Sequence, residues 1–197
     1  MTDPMENGWD DSEIPSEERL MQGLEDIQLT PAEHLRIKNI VHGVRFGELI
    51  QHDRRYLVVG SGRDSKAANR RRIVVDLLDN RTNPPSIAMR LEDFGLTTEE
   101  MRLWARVFDL LCGTVTHIVG VIEDLHGGYV WELGLMFAPT YRDKGWVLKR
   151  RYEEERKERE CYDNAMGASH VALLLTGPRA QEWSDEDELR DAVQEIP

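Results

Sequence analysis

One glutamate, Glu132, stands in an otherwise apolar segment and is the strongest candidate for chemistry in the sequence. The segment 129–138 reads Tyr-Val-Trp-Glu-Leu-Gly-Leu-Met-Phe-Ala and is predicted to be a helix. Burying a carboxylate without a partner is expensive, so Glu132 must reach water, an ionic partner or a ligand. The alternative, which the spacing leaves open, is a first-turn glutamate that the helix dipole favours and that pairs with an arginine.

Glycines stand on both sides of Glu132. The preceding loop, residues 123–128, is acidic and ends in two glycines. Helical spacing places Glu132 on the same side as Gly128, one turn earlier, and therefore near the edge where a ligand would bind. Gly134 follows inside the helix, where glycine costs about 1 kcal/mol relative to alanine and usually marks a close approach of the backbone.

A second glycine-rich loop, residues 60–64, follows the apolar run 56–59. A dinucleotide fingerprint that starts at its two glycines would need a third glycine at position 65, which is Ser65, so an ordinary Rossmann NAD site is not indicated. The loop is either a tight turn with a helix cap or a ligand contact. Both loops lead into helix N-termini, whose free backbone N–H groups can meet an anion.

Short apolar runs alternate with helical patterns and predict the elements that position these loops. Strands are expected at residues 56–59, 86–90, 118–122, 146–148 and 171–175. Helices are expected from Asp64 or Ser65 to Asp79, from Thr97 onwards, at 129–138 and at 186–196, with a strand over 73–75 as an alternative. This alternation predicts a doubly wound, mainly parallel five-stranded α/β sheet. In the flavodoxin-like order 2-1-3-4-5 the two loops meet where the strand order reverses, the usual ligand site.

The N-terminal quarter of the chain predicts a different organisation. Residues 1–16 are acidic and have little to bury, so we expect a disordered tail, with a helical extension over 17–52 and the α/β domain over 53–197. Residues 30–33, Thr-Pro-Ala-Glu, combine an N-cap, a first-turn proline and a capping-box glutamate. The apolar face that follows is expected to pack on the main domain or on a second copy, and a DNA-reading helix is the less favoured alternative.

Two charged runs are predicted to be solvated helix surfaces. In residues 150–160, Arg151 with Glu155, Glu153 with Lys157, and Arg156 with Glu160 are four apart, which is typical of ion pairs along a helix. The run 70–72, three consecutive arginines, could meet a phosphate. However, consecutive residues on a helix point in different directions, so a solvated face is favoured.

Composition excludes several classes of protein. With 37 acidic and 25 basic residues the formal charge is −12, which argues against a general nucleic-acid surface. No apolar stretch reaches the roughly 18 residues that span a membrane, and the chain does not begin like a secretion signal. Cys112 and Cys161 match no metal or redox spacing, and the histidines show no ligand spacing. We therefore expect a cytoplasmic chain without disulfide, metal or cofactor.

The third predicted strand, the loop after it and Glu132 resemble the nucleoside 2-deoxyribosyltransferase family and the related TIR-type NAD-cleaving domains. The typical motif reads Asp-x-Gly-Thr-x-x-Glu-x-Gly, and Gly128, Glu132 and Gly134 stand at the matching positions. His126 replaces the Asp and Tyr129 the Thr, so the ligand contacts of those two do not carry over. The acidity and the 20 Arg against 5 Lys also resemble proteins of salt-loving archaea with this architecture.

The resemblance implies an enzyme that cleaves or transfers the N-glycosidic bond of a nucleoside, nucleotide or NAD. Glu132 would stabilise the cationic sugar or trap it covalently, while Asp64, Asp124 and His126 would contact ribose or move a proton. The expected substrate-binding residues are Gly60, Ser61, Gly62, Asp64, Asp124, His126, Gly127 and Gly128. A homo-oligomer is expected. The alternatives are a nucleotide-sensing or protein-interaction module that keeps the fold without the reaction, and a scaffold.

Overall fold

The computed structural model describes residues 29–60, 65–126, 129–136 and 138–197. The chain divides into two compact units, Met1–Arg36 and Ile37–Pro197, and the sheet belongs to the second. Several residues singled out in the sequence lie outside the described ranges. These are the predicted tail 1–16, residues 17–28 of the predicted helical extension, and the loop residues Ser61, Gly62, Asp64, Gly127 and Gly128.

The described residues alternate strands with helices. The strands are β1 (Arg54–Gly60), β2 (Ser86–Met89), β3 (His117–Ile122), β4 (Gly145–Arg150) and β5 (Ala180–Trp183). The α-helices are α1 (Pro31–Val41), α2 (Val44–Ile50), α3 (Ser65–Asp79), α4 (Met101–Thr114), α5 (Tyr129–Met136), α6 (Glu155–Cys161), α7 (Ala165–Leu175) and α8 (Glu186–Gln194). Short 3-10 turns occupy Leu91–Phe94, Thr98–Glu100 and Arg142–Lys144.

The five strands form one all-parallel sheet in the order β2-β1-β3-β4-β5, which confirms the predicted doubly wound α/β fold. The strands at its centre are buried on both faces, as parallel sheets require. The register pairs Gly60, the last residue of β1, with Val121 of β3. The strand order therefore reverses between β1 and β3, and their carboxyl ends meet at one edge of the sheet.

The fifth strand is not where the sequence predicts it. Residues 171–175 lie in helix α7, and the fifth strand is the short segment 180–183. The run 171–175 is mostly leucine, a good helix former, and the Asn164 side chain caps the helix by accepting a hydrogen bond from the backbone N–H of Gly167 at 3.0 Å. The true edge strand is half polar and only four residues long, so its apolar signal is weak.

The other predicted helices form, except that the apolar pattern near the N-terminus is interrupted and the charged segment 150–160 is helical only from residue 155. The capping box is present, since the Thr30 backbone N–H donates to the Glu33 carboxylate at 2.7 Å and the Glu33 N–H to the Thr30 hydroxyl at 3.3 Å. The apolar pattern that continues to Val44 is split at Gly43 into α1 and α2. Residues 73–75 are helical rather than extended, and Val74 is fully buried, because they face the sheet from α3.

Two apolar clusters fill the two faces of the sheet. Helices α2, α4, α5 and α7 cover the face to which Leu57, Ile118 and Val147 point. Helices α3 and α8 cover the opposite face, to which Val58 and Leu148 point. Strand residues alternate between these clusters, as the pleat demands. Across the described ranges, every helix is too short or too polar to cross a membrane.

Candidate functional site

The site lies at the carboxyl ends of β1 and β3, where Gly60 ends β1 and lies close to the backbone of β3. Gly60 has a φ of 149° and closes β1 against β3. A Cβ atom at this position would overlap the carbonyl oxygen of Val121. Glycine is therefore required both by its positive φ and by the close approach of the two strands.

Glu132 lies in the first turn of α5, a helix that contacts β1, and is half-buried. The pKa of its carboxyl is raised to about 7, mainly by burial and secondly by the negative charge of Glu92, while the positive charge of Arg71 lowers it. Within the described residues no hydrogen bond or ion pair reaches this carboxylate. The arginine-paired alternative is therefore not formed there.

Arg71 joins the end of β1 to the turn after β2. Its Nη1 donates to the Gly60 carbonyl oxygen at 2.9 Å, and its Nη2 pairs with the Glu92 carboxylate. Arg71 is only 8% exposed, and its Nε is buried without an acceptor. The predicted solvated face is wrong for this residue, because α3 turns it towards the sheet edge rather than towards water.

Glu123, directly after β3, anchors a second buried ionic group. It is 4% exposed and accepts from Arg70 Nε at 2.7 Å and from Arg150 Nη1 at 2.8 Å. Its backbone carbonyl also accepts from the Tyr152 hydroxyl at 2.8 Å. We name Arg70, Glu123 and Arg150 the buried triad. Glu123 has no role predicted from the sequence, although its position directly after an apolar strand is a signal for a buried partner.

Asp124 and His126 form a local turn. The Asp124 carboxylate accepts the backbone N–H of His126 at 2.8 Å, and the His126 ring Nδ1 lies 3.6 Å from it. Both side chains are partly exposed, and within the described residues neither bonds to Glu132. Their predicted roles in ribose contact or proton transfer stay predictions.

The charged segment after β4 is only partly the predicted ion-paired helix. Helix α6 begins at Glu155, and the Arg156–Glu160 pair forms at 2.8 Å. The pairs predicted for Arg151 with Glu155 and for Glu153 with Lys157 do not appear among the described contacts, because residues 151–154 are not helical. In their place Arg151 lies 3.7 Å from Glu188, Arg159 pairs with Glu155, and Lys157 lies over the Tyr152 ring.

Gly134 does not mark a close approach in the described structure. It is exposed, and a Cβ atom placed on it meets nothing within 4 Å. We expect Gly134→Ala to raise the free energy of unfolding by about 0.5–1 kcal/mol, because alanine loses less backbone entropy in a helix. Urea unfolding measures this. A destabilised variant would show instead that the glycine itself is needed in α5.

A groove of about 610 Å³ lies elsewhere, along the outer edge of β2. Its lining residues come from α2, α3, β2 and the turn after β2, and Glu132 is not among them. They are Arg45, Glu48, His52, Arg72, Val75, Asp76, Asp79, Ser86, Ile87, Ala88, Met89, Arg90 and Asp93. Two ion pairs form among its lining residues, Arg45 with Glu48 and Arg90 with Asp93. The part of the chain that the structure describes holds no group of three or more His, Cys, Asp or Glu placed to bind a metal ion.

These features define a doubly wound α/β protein that gathers carboxylates and arginines at the switch point of its sheet. The protein-family model described as "Family of unknown function (DUF8170)" matches residues 9–177 of the sequence, and the chain belongs to this family. No curated protein and no solved structure matches the chain.

Proposed function

We propose that the protein binds a nucleoside, nucleotide or NAD and cleaves or transfers its N-glycosidic bond, with Glu132 facing the sugar. The observation that supports this most is the state of Glu132 itself. It is a half-buried carboxylate whose pKa is raised to about 7, without an ionic partner in the described residues, at the edge where doubly wound sheets bind ligands.

The proposed step uses the ionised form of Glu132. One carboxylate oxygen attacks the anomeric carbon and forms a C–O bond, while the C–N bond breaks and its electron pair leaves on the base. A purine or pyrimidine base takes up a proton from solvent as it leaves, whereas the nicotinamide of NAD leaves as a neutral base without one. Water or an acceptor base then attacks the same carbon and releases the carboxylate. A raised pKa keeps this group basic and weakly hydrated until a sugar cation develops beside it.

Arg71 and Glu92 support this use of Glu132. Arg71 fixes Glu92 and the Gly60 carbonyl relative to one another, so charges of both signs act on the Glu132 carboxyl from fixed positions. Glu92 carries its own arginine partner and its side chain is 43% exposed, so it is the better solvated of the two carboxylates. Two carboxylates in such different surroundings are typical of sites that divide proton transfer from charge stabilisation.

We expect purified protein in high-salt buffer to release free base from at least one nucleoside, nucleotide or NAD. Glu132→Gln, which keeps the size and loses the charge, should lower the rate at least about 100-fold, because the reacting carboxylate is gone. Chromatographic detection of the released base measures the rate. The matched control is Glu160→Gln, an exposed carboxylate on α6 that should leave the rate unchanged.

Equal rates for wild type and Glu132→Gln across all these substrates would overturn the proposal. Stabilisation by a nucleotide in a thermal-shift assay, without any release of base, would replace it with a nucleotide-sensing module. The exposed ring of Trp131 beside Glu132 gives a fluorescence signal for such binding.

A further inference from the structure

Strand β2 lies at one outer edge of the sheet. Among the described strands it pairs only with β1, and the order β2-β1-β3-β4-β5 leaves its other side without a neighbouring strand. Such an edge presents backbone N–H and C=O groups that can pair with a strand of another chain. The hydrogen bonds on this side of β2 therefore decide whether the chain can associate through it.

Ser86 and Ala88 turn their backbone groups outward, away from β1. The Ser86 N–H donates to the Arg81 carbonyl oxygen at 3.2 Å. The Ala88 N–H donates to the Asp79 carboxylate at 3.0 Å. Successive residues of a strand point their N–H and C=O groups to opposite sides, so the intervening Ile87 faces β1 and the carbonyl groups of Ser86 and Ala88 also point outward. We call the outward backbone groups of Ser86 and Ala88 the β2 edge.

A further N–H group continues the β2 edge beyond the strand. Arg90 follows β2, and its backbone N–H donates to the Asp93 carboxylate at 2.8 Å. The Arg90 guanidinium also donates to this carboxylate, at 2.7 Å, and holds it in place. The N–H groups of Ser86, Ala88 and Arg90 therefore all have an acceptor within the chain, and two of these acceptors are carboxylates.

The helices beside the β2 edge leave space along it. The groove of about 610 Å³ is lined by α2, by α3 and by all four residues of β2. Asp79 and Asp93 line the same groove. Because the groove gives access to the strand, the β2 edge is blocked by the acceptors on its N–H groups and not by an element that lies over it.

Asp79 stands where a helix does not favour a carboxylate. It is the last residue of α3, whose last turn contains no basic residue, and the helix dipole disfavours negative charge at this end. Within the described residues, the Ala88 N–H is the one hydrogen-bond donor to the Asp79 carboxylate. The bond to the β2 edge, rather than the stability of α3, therefore accounts for an aspartate at this position.

We propose that Asp79 and Asp93 block the β2 edge against strand addition and so keep it from pairing with a second copy of the chain. Two copies related by a two-fold axis would place Ser86 opposite Ala88 and exchange four N–H···O bonds. Asp79 occupies two of these four donors, one in each copy, and a carboxylate holds an N–H more strongly than a neutral carbonyl does. The expected homo-oligomer must then use another surface. This inference is independent of the chemistry proposed for Glu132.

Sedimentation equilibrium of the full chain tests this in high-salt buffer, where salt screens the repulsion between copies that each carry a charge of −12. Asp79→Ala frees the Ala88 N–H, and we expect it to raise the self-association constant at least about tenfold over wild type. Asp79→Asn keeps an acceptor oxygen and should associate as wild type does. Asp76→Ala is the matched control, because Asp76 lines the same groove from α3 and, in the described contacts, accepts no N–H of the β2 edge.

Amide hydrogen exchange gives a second readout. The Ala88 amide should exchange at least about 100-fold faster in Asp79→Ala than in wild type, while circular dichroism shows that the variant is folded. A folded Asp79→Ala that associates no more than wild type, or no more than Asp79→Asn or Asp76→Ala, would overturn the proposal. If Asp79→Ala does not fold, wild type alone decides: a slowly exchanging Ala88 amide supports the blocked edge, and one that exchanges as fast as in an unfolded chain overturns it.

Discussion

Replacing Glu123 with glutamine should lower the free energy of unfolding by about 3–5 kcal/mol, the range for removing one member of a buried charge pair. Glutamine has nearly the same size, so the loss comes from charge rather than from a cavity. Arg70 and Arg150 would then face each other and an amide, with Arg70 8% exposed and therefore unable to recover its hydration.

Urea unfolding followed by tryptophan fluorescence measures the Glu123→Gln effect, and Trp183 reports on it directly. This ring is fully buried and has both guanidinium groups over it. The control is Glu160→Gln, which breaks the exposed pair with Arg156 and should change the stability by at most about 0.5 kcal/mol. A loss below about 1 kcal/mol for Glu123→Gln would mean that water reaches the triad and that its charges are not desolvated.

The centre of the sheet could be predicted from the sequence because its strands are continuous apolar runs. Residues 118–122 are buried on both faces, and that pattern leaves few alternatives to a central parallel strand. The edge strand of the sheet was harder to predict from the sequence. Residues 180–183 have only four positions, with two polar side chains between two apolar ones, whereas the apolar run 171–175 is helical and only Val171 of it is buried. A run of leucines does not distinguish a strand from a helix.

The candidate site was predictable only in part. Glu132 could be singled out because a lone carboxylate in an apolar helix conflicts with burial. The ionic groups around Glu132 could not be predicted from the sequence. The sequence predicts that Arg70 and Arg71 lie on a solvated helix face, because sequence spacing does not reveal that α3 places both against the sheet edge. Likewise, Glu123 finds partners 53 and 27 residues away in the chain, and such pairings follow from the order of the strands.

The stability of the protein should depend on the protonation of Glu132, and the sign follows from its raised pKa. Below about pH 4 the carboxyl is protonated in both the folded and the unfolded chain, so no charge is buried and the free energy of unfolding is not reduced. Between its ordinary value of 4.5 and the folded value of about 7, the unfolded chain releases the proton while the folded chain holds it. Stability therefore falls as pH rises through this window, by about 3 kcal/mol in total, and stays low above it.

Glu132→Gln carries no charge to desolvate, so it should escape this penalty. We expect its stability relative to wild type to increase by about 3 kcal/mol between pH 4 and pH 8 in urea unfolding, with most of the change between pH 5 and pH 7. Glu160→Gln should show no such trend, since its carboxylate is exposed. A constant difference between Glu132→Gln and wild type would mean that Glu132 ionises normally and would remove the main support for its catalytic role. A difference that grows with pH would mean that the fold accepts a less stable native state to keep this carboxylate basic at the sheet edge.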